Sequence, residues 1–219
     1  MSDRDDDLTG HADREVLVGA PGAQLVIISG PSGVGKDTII DALAARPRDP
    51  AFHYVITCTT RGPRPGETPD RSYHFLTNEA FLALRDAGEL LEANEVHGHW
   101  YGTPRREVAQ ALAEGHDVIL KIDVQGATVV KRRVPDALLV FIVPPTLEAL
   151  FQRLRSRATE TADELELRQR NAAIELARQG DYDQVVVNET GEVDRTAAEI
   201  EAIIAQEKRR NADRQIRIA

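Results

Sequence analysis

The segment Gly30-Pro31-Ser32-Gly33-Val34-Gly35-Lys36 decides the fold, because it stands between a strand-like apolar run, Leu25–Ser29, and a helical pattern that begins near Thr38. It has the GxxxxGK core of a phosphate-binding loop in the strand–loop–helix context that this motif requires. The glycines let backbone N–H groups surround a phosphate, and the following helix adds the positive end of its dipole. Lys36 supplies a point charge to the β- and γ-phosphates. The sequence therefore predicts a nucleoside triphosphate site.

The residue after this lysine departs from the motif. Such loops carry Ser or Thr there as a Mg²⁺ ligand, whereas this chain has Asp37 and places a hydroxyl one residue later, at Thr38. A carboxylate can also bind Mg²⁺, and an acidic residue in the first turn stabilises a helix. Asp37 is therefore a candidate metal ligand, and stabilisation of the helix start is the alternative.

Apolar runs of strand length alternate with helical periodicity along the chain. Strands are predicted at Leu25–Ser29, Tyr54–Thr57, Val118–Ile122, Leu138–Val143 and Val185–Val187. Helices are predicted at Thr38–Ala45, Glu79–Ala87, Pro104–Glu114, Ala127–Arg133, Leu147–Arg157, Glu164–Arg178 and Asp194–Gln206. Continuous apolar strands are typical of a parallel sheet that is buried on both faces. The alternation predicts an α/β fold with a mainly parallel sheet flanked by helices.

Composition limits the classes of partner. The 219 residues carry a net charge of -9, which argues against a nucleic-acid binder or a basic membrane-surface protein. The single cysteine, Cys58, excludes an internal disulfide and is typical of a reducing compartment. The acidic N-terminus lacks the features of a secretory signal and no apolar run is long enough to span a bilayer, so we expect a cytoplasmic protein.

The charge composition of both ends of the chain differs from that of the middle. Residues 1–23 are acidic and contain Gly and Pro near their end, which predicts a disordered tail. Residues 207–219 are basic and are predicted to form a C-terminal tail. A single domain is expected over residues 24–206.

A second group of residues predicts a site for a nucleoside monophosphate. The loop TCTTRGPRPGE at residues 57–67 places Arg61 and Arg64 three residues apart in a segment stiffened by Pro and Gly. Further polar residues follow at Tyr73, Glu92 and Tyr101-Gly102-Thr103. Arginine binds phosphate through two parallel N–H donors, and a tyrosine hydroxyl adds a neutral donor.

These motifs together resemble those of the guanylate kinase family. The matching segments are GPSGVGK at 30–36, TTRGPRPGE at 59–67, Tyr73, Glu92, YGTP at 101–104, IDVQGA at 122–127, VPP at 143–145, RLRSRATET at 153–161 and VVVN at 185–188. The resemblance extends over about residues 24–206. It implies a P-loop NTP hydrolase-type parallel sheet flanked by helices, with a small GMP-binding insertion at about 57–103 and a helical lid at about 146–179.

The resemblance also implies an activity and a role for each matching residue. The activity is transfer of the γ-phosphoryl group of ATP to GMP, and also to dGMP, with Mg²⁺. The residues matched to the GMP phosphate are Arg61, Arg64, Tyr73 and Tyr101, and those matched to guanine are Thr57, Glu92, Thr103 and, near the base, Asp123. ATP is expected to bind residues 30–38 and Asn188, and the catalytic cations are Lys36, Arg153, Arg157 and Arg168.

The chemistry of the base supports the assignment of Glu92. Guanine presents N1–H and N2–H₂ as adjacent donors, and one carboxylate can accept from both. Adenine has an acceptor at N1 and leaves the carboxylate facing a lone pair. A buried mismatch of this kind discriminates by ~10⁴ or more.

A second departure concerns Lys121. Many members of the family are acidic at this position, close to the metal site, whereas this chain has a base there and an acid at Asp37. The paired departure suggests a charge exchange in which Asp37 and Lys121 face each other and Asp37 takes over contact with the metal. The alternative is that Lys121 points to solvent.

Two other functions compete with this prediction. A ribose-bisphosphate phosphokinase shares the fold and the GKD sequence, but it has no need for TTRGPRPGE or Glu92. A non-catalytic binding module of the guanylate kinase type lacks an intact phosphate loop and lid, whereas Lys36 and the three lid arginines are present here. The expected partners are the small molecules GMP and ATP, without nucleic acid or membrane, in a monomer or homodimer.

Overall fold

A computed structural model describes residues 17–64, 66–96, 98–156 and 162–218 of the chain. The strands and helices in chain order are β1 (Leu17–Val18), β2 (Leu25–Ser29), α1 (Lys36–Ala44), β3 (His53–Tyr54), β4 (Cys58–Thr59), β5 (His74–Phe75), α2 (Asn78–Asp86), β6 (Leu90–Val96), β7 (His99–Pro104), α3 (Arg105–Ala113), β8 (Val118–Lys121), α4 (Val124–Arg133), β9 (Leu138–Val143), α5 (Leu147–Ser156), α6 (Ala162–Leu176), a 3₁₀ helix (Ala177–Asp181), β10 (Gln184–Val187), α7 (Val193–Arg210) and β11 (Arg217–Ile218).

A parallel sheet with strand order β10-β9-β2-β8-β3 forms the centre of the fold. Each residue of β2 is buried, and successive side chains point to opposite faces. Leu25 and Ile27 pack on one face, and Val26 and Ile28 pack on the other. The continuous apolar strands thus fill two core layers, and the predicted α/β fold with a mainly parallel sheet is confirmed.

A second sheet, with strand order β5-β4-β7-β6, stands beside the first. The predicted strand Tyr54–Thr57 is correct only at its start, because the chain leaves the central sheet after Val55, whose N–H donates to Ile119, and enters the second sheet at Cys58. The hairpin of β6 and β7 was not predicted, since its polar residues interrupt any simple apolar pattern. Three of the residues matched to GMP, Glu92, Tyr101 and Thr103, lie on strands of this sheet.

The predicted helices agree with the structure within a few residues over the described part of the chain. The largest shift at the start of a helix is in α4, predicted from Ala127 and observed from Val124. The helix begins earlier because the Asp123 side chain caps it by accepting the Gly126 N–H at 2.7 Å. None of the described helices combines the length and apolar composition needed to cross a membrane.

The two ends differ from the predicted tails. Residues 17–23 are ordered, since β1 pairs antiparallel with β11 and Ala23 lies in the core. At the other end α7 continues to Arg210, and Ile216 and Ile218 are each 1% exposed. Burial of these apolar side chains against the sheet outweighs the basic composition of the segment. Residues 1–16 of the predicted acidic tail lie outside the described residues.

Replacing Ile216 with Ala tests whether the C-terminal segment is part of the core. We expect Ile216→Ala to lower the free energy of unfolding by about 2–5 kcal/mol, because it leaves a cavity among fully buried side chains. Val18→Ala in the paired strand is the control, since Val18 is 44% exposed and should change stability by less than about 1 kcal/mol. Equal urea denaturation curves for wild type and Ile216→Ala would show that the segment is dispensable.

Candidate active site

The phosphate-binding loop lies at the carboxyl end of β2, where the chain turns into α1. Gly30 and Gly35 have φ angles of 146° and 101°, which side chains rarely adopt. A Cβ atom at Gly30 would overlap the carbonyl oxygen of Ile142, and one at Gly35 would lie 2.7 Å from Nδ2 of Asn188. Glycine is therefore required at both positions by conformation and by space.

The side chain of Lys36 folds back onto the phosphate-binding loop. Its Nζ donates to the carbonyl oxygens of Gly30 at 2.6 Å and Pro31 at 3.1 Å. Desolvation lowers the pKa of the Lys36 ammonium, against the opposite effects of Glu175 and Asp37. The ammonium is thus held at the centre of the loop, where it can reach a bound phosphate.

Two of the predicted lid arginines contact this loop. Arg153 on α5 donates to the carbonyl oxygen of Val34 at 3.1 Å and to that of Asn188 at 3.1 Å. Arg168 on α6 donates to Ser32 Oγ at 3.1 Å. The third predicted arginine, Arg157, lies outside the described residues.

Helix α6 also brings a carboxylate to the loop, which the sequence did not predict. Glu175 Oε2 accepts the backbone N–H of Ser32 at 3.0 Å. This N–H belongs to the group of loop donors that a phosphate would use. Glu175 thus places a negative charge at a site built for anions.

Asn188 lies beneath the loop. It is 7% exposed, and its Nδ2 donates to the carbonyl oxygen of Val34 at 2.8 Å. It therefore supports the loop from behind, whereas Thr38 is exposed in the first turn of α1. A direct contact of either residue with ATP remains a prediction.

Asp37 and Lys121 form an ion pair, as the paired departures from the motif predicted. Lys121 Nζ also lies 5.4 Å from the centroid of the Tyr73 ring. Burial alone would lower the pKa of Lys121, but its interactions with Tyr73 and Asp37 raise the pKa overall. The side chain of Lys121 is therefore a cation that faces the site, and the alternative of a solvent-directed lysine is excluded.

Arg61 is held in a buried network. Its Nη1 and Nη2 donate to the two carboxylate oxygens of Glu67, each at 2.9 Å, and its Nε donates to the Tyr101 hydroxyl at 3.2 Å. Glu67 also accepts the Arg64 backbone N–H at 2.7 Å. Glu67 was quoted in the sequence motif without a role, and the structure shows that it organises both arginine positions.

Glu92 is the buried acid of the second sheet. Its side chain accepts from the Thr103 hydroxyl and from the Asn94 amide, each at 2.7 Å. Burial raises the pKa of Glu92 to about 7, although these two hydrogen bonds act in the opposite direction. The Asp123 carboxylate adds to the rise, so Glu92 changes charge near neutral pH.

The two groups of residues meet in one cavity of about 180 Å³. It is lined by Gly30, Ser32, Gly33, Lys36, Asp37, Thr57, Arg64, Tyr73, Glu92, Val96, Tyr101, Lys121, Ile122, Asp123 and Glu175. Its cations cluster near the phosphate loop, and the buried acid lies on the second sheet. The cavity can therefore hold phosphates in one part and a base with adjacent donors in another.

The chain matches the family model described as guanylate kinase over residues 22–207. The chain belongs to the guanylate kinase family. A guanylate kinase of Symbiobacterium thermophilum is 44% identical over 191 residues, which are 87% of this chain and 88% of that protein. A guanylate kinase of Mycobacterium tuberculosis is 46% identical over 174 residues, or 78% and 83% of the two chains.

A solved structure agrees with these guanylate kinase relatives. The crystal structure of guanylate kinase from Anaplasma phagocytophilum superimposes with a TM-score of 0.71 at 28% identity, and the match covers 90% of this chain and 92% of that one. The family and the enzyme class predicted from the sequence are confirmed: the chain is a nucleoside monophosphate kinase. The ribose-bisphosphate phosphokinase alternative is thereby excluded.

Asp37 is a candidate metal ligand beside the phosphate loop, where Glu175 is a second carboxylate. Among the described residues, no group of three or more His, Cys, Asp or Glu side chains can hold a metal ion by itself. This donor set fits Mg²⁺, which is commonly bound by one or two carboxylates together with substrate phosphates and water.

Removing the charge of Glu175 should strengthen anion binding at the loop. We expect Glu175→Gln to bind inorganic tripolyphosphate about fivefold more tightly, because like charges about 4 Å apart repel by about 1 kcal/mol even in water. Calorimetric titration measures this affinity. Glu166→Gln is the control, since Glu166 lies exposed on the same helix. Equal or weaker binding by Glu175→Gln would contradict competition between Glu175 and phosphate.

Proposed function

We propose that the chain transfers the γ-phosphoryl group of ATP to GMP and releases ADP and GDP. One observation carries the proposal: the phosphate loop and the buried acid Glu92 line the same cavity. The loop provides for the triphosphate, and Glu92 provides for the base of the acceptor. Family membership supports the same reaction.

Guanine recognition is proposed to depend on Glu92 in its ionised form. The carboxylate would accept N1–H and N2–H₂ of the base, while Thr57 and Asp123 line the cavity beside it. Thr103 would act through its hydrogen bond to Glu92. Adenine lacks the donor at N1, so AMP would leave a buried acceptor unpaired.

The phosphate of GMP is proposed to lie among Arg64, Tyr73 and Tyr101, which line the cavity. Arg61 would contribute its charge and orient the Tyr101 hydroxyl, because most of its N–H donors already have partners in Glu67 and Tyr101. This assignment refines the role that the motif implied for Arg61. The insertion at about 57–103 would move as a unit when GMP binds.

Phosphoryl transfer itself requires positioning and charge neutralisation. The phosphate of GMP is already an anionic nucleophile, so no general base is needed. Lys36, Arg153 and Arg168, with Arg157, are proposed to stabilise the negative charge of the transferring group. Closure of the lid at about 146–179 would exclude water, which otherwise competes as the acceptor.

Mg²⁺ is the proposed cofactor, and Asp37 is the residue that would hold it. When bound, the ion would neutralise charge on the phosphates of ATP. Asp37 has its Lys121 partner in place, and its side chain is 68% exposed. Asn188 completes the proposed ATP site from beneath the loop.

A coupled assay of ADP release tests the proposed reaction. We expect turnover with GMP, little with AMP and none with the phosphorylated ribose that a ribose-bisphosphate kinase would accept. Glu92→Gln should lower kcat/KM for GMP by about 10²-fold or more, because an amide cannot accept both base donors. Glu95→Gln, on an exposed residue of the same strand, should not change it. Absence of turnover with bound GMP would indicate a binding module.

The Mg²⁺ dependence of Asp37→Asn tests the metal assignment. Because the Asp37 side chain is 68% exposed, its pair with Lys121 should contribute at most about 1 kcal/mol to stability, so a folding defect is not expected. We expect the half-saturating Mg²⁺ concentration to rise about tenfold, since a charged oxygen ligand is lost. Lys121→Met is the control, because it removes the partner and keeps the carboxylate. An unchanged Mg²⁺ requirement in Asp37→Asn would contradict the assignment.

A further inference from the structure

Asn94 stands beside Glu92 on the same face of β6. Residues two apart in a strand point to the same side, and Asn94 and Glu92 pair across the hairpin with Tyr101 and Thr103. Asn94 is half-buried, whereas Glu92 is 3% exposed. The motif did not include Asn94, and the sequence alone gave it no role.

Two donors hold the carboxylate of Glu92, one on each oxygen. Thr103 Oγ1 donates to Oε1, and Asn94 Nδ2 donates to Oε2, each at 2.7 Å. With a single hydrogen bond the carboxylate group could still rotate about its bond to Cγ. Two hydrogen bonds to different oxygens fix the orientation of the carboxylate plane. Each oxygen keeps acceptor capacity for a further donor, which is what the two donors of guanine require.

Some of the groups that surround Glu92 favour its protonated form, and others favour its ionised form. Asp123, at the start of α4, raises the pKa of Glu92, and Arg133, at the end of the same helix, lowers it. Arg133 also donates to the carbonyl oxygens of Leu90 and Leu91, at 3.2 and 2.6 Å. The hydrogen bonds from Thr103 and Asn94 favour the ionised form. With a pKa of about 7, Glu92 is balanced between these influences.

We propose that Asn94 is a positioning and specificity-determining residue: its amide holds Glu92 Oε2 toward the guanine edge and keeps the carboxylate in the form that accepts hydrogen bonds. The proposal rests on the proposed function, because it assigns the base of GMP to Glu92. It assigns Asn94 no direct contact with the reacting phosphates.

The chemistry predicts a distinct pH dependence when Asn94 is lost. Without the amide donor the pKa of Glu92 rises further, so at pH 7 a larger fraction is protonated. A protonated carboxyl group presents an O–H donor, which guanine N1–H cannot accept but adenine N1 can. Loss of Asn94 should therefore weaken GMP binding and reduce discrimination against AMP, and both effects should fade well above the pKa, where the carboxylate is ionised in both proteins.

Steady-state kinetics of Asn94→Ala between pH 6 and pH 9 test this. One unit of pKa corresponds to a factor of ten, so we expect KM for GMP to rise up to about tenfold below pH 7 and to return to within about twofold of wild type near pH 9. The kcat at saturating GMP and the KM for ATP should change less than about twofold. Glu95→Ala, the exposed neighbour on the opposite face, should match wild type at every pH.

A second variant and a spectroscopic titration keep the test independent of folding and of turnover. Asn94→Asp adds a like charge beside Glu92 and should enlarge the effect below pH 7. The infrared carboxyl band of Glu92, identified by its loss in Glu92→Gln, should titrate at higher pH in Asn94→Ala than in wild type. A pH-independent rise in KM, or an unshifted titration, would overturn the proposal. Absence of GMP turnover by wild type would instead overturn the proposed function.

Discussion

The shape of the phosphate loop depends on backbone groups that neighbouring segments hold in place. Gly30 lies against the carbonyl of Ile142 with no room for a side chain. The carbonyl oxygen of Val34 accepts from both Arg153 and Asn188. Carbonyl groups that are engaged from behind leave the N–H groups of the loop directed at the site. The phosphate loop therefore constrains the positions of three other segments, namely β9, α5 and the residues after β10.

Positive and negative side chains line different parts of the cavity. Lys36 and Lys121 gather positive charge near the loop, although the protein carries a net charge of -9. Glu92 is buried on the second sheet, where desolvation penalises its ionised form. Two hydrogen bonds and Arg133 offset this cost, so the acid keeps a pKa near neutrality. Phosphates at the loop and a base beside Glu92 would thus meet opposite electrostatic surroundings within one cavity.

Sequence reasoning succeeded for the central sheet and failed for the second one. Strands such as Leu138–Val143 are buried on both faces, so an unbroken apolar run identifies them. The hairpin of β6 and β7 has one face toward the cavity, where polar residues such as Glu92 and Tyr101 lie. Such a strand lacks the apolar signature because its inner face lines a cavity rather than packing in the core. The C-terminal segment was predicted to be a tail because its composition is basic. Its two isoleucines, Ile216 and Ile218, are too few to form a recognisable apolar pattern, although both are buried.

The sequence by itself determined the phosphate loop, the acid matched to guanine and the pairing of Asp37 with Lys121. The loop follows from residue types at fixed spacing, the acid matched to guanine from the resemblance to the guanylate kinase family, and the ion pair from two compensating departures within the motif set. Only the tertiary structure decided that Glu175 meets Ser32, that Glu67 holds Arg61 and that Asn94 holds Glu92. Ser32 and Glu175 are separated by 143 positions. The local sequence around the loop does not indicate which distant side chains on α6 will contact it. Partner choice at that range is set by how the helices pack on the sheet.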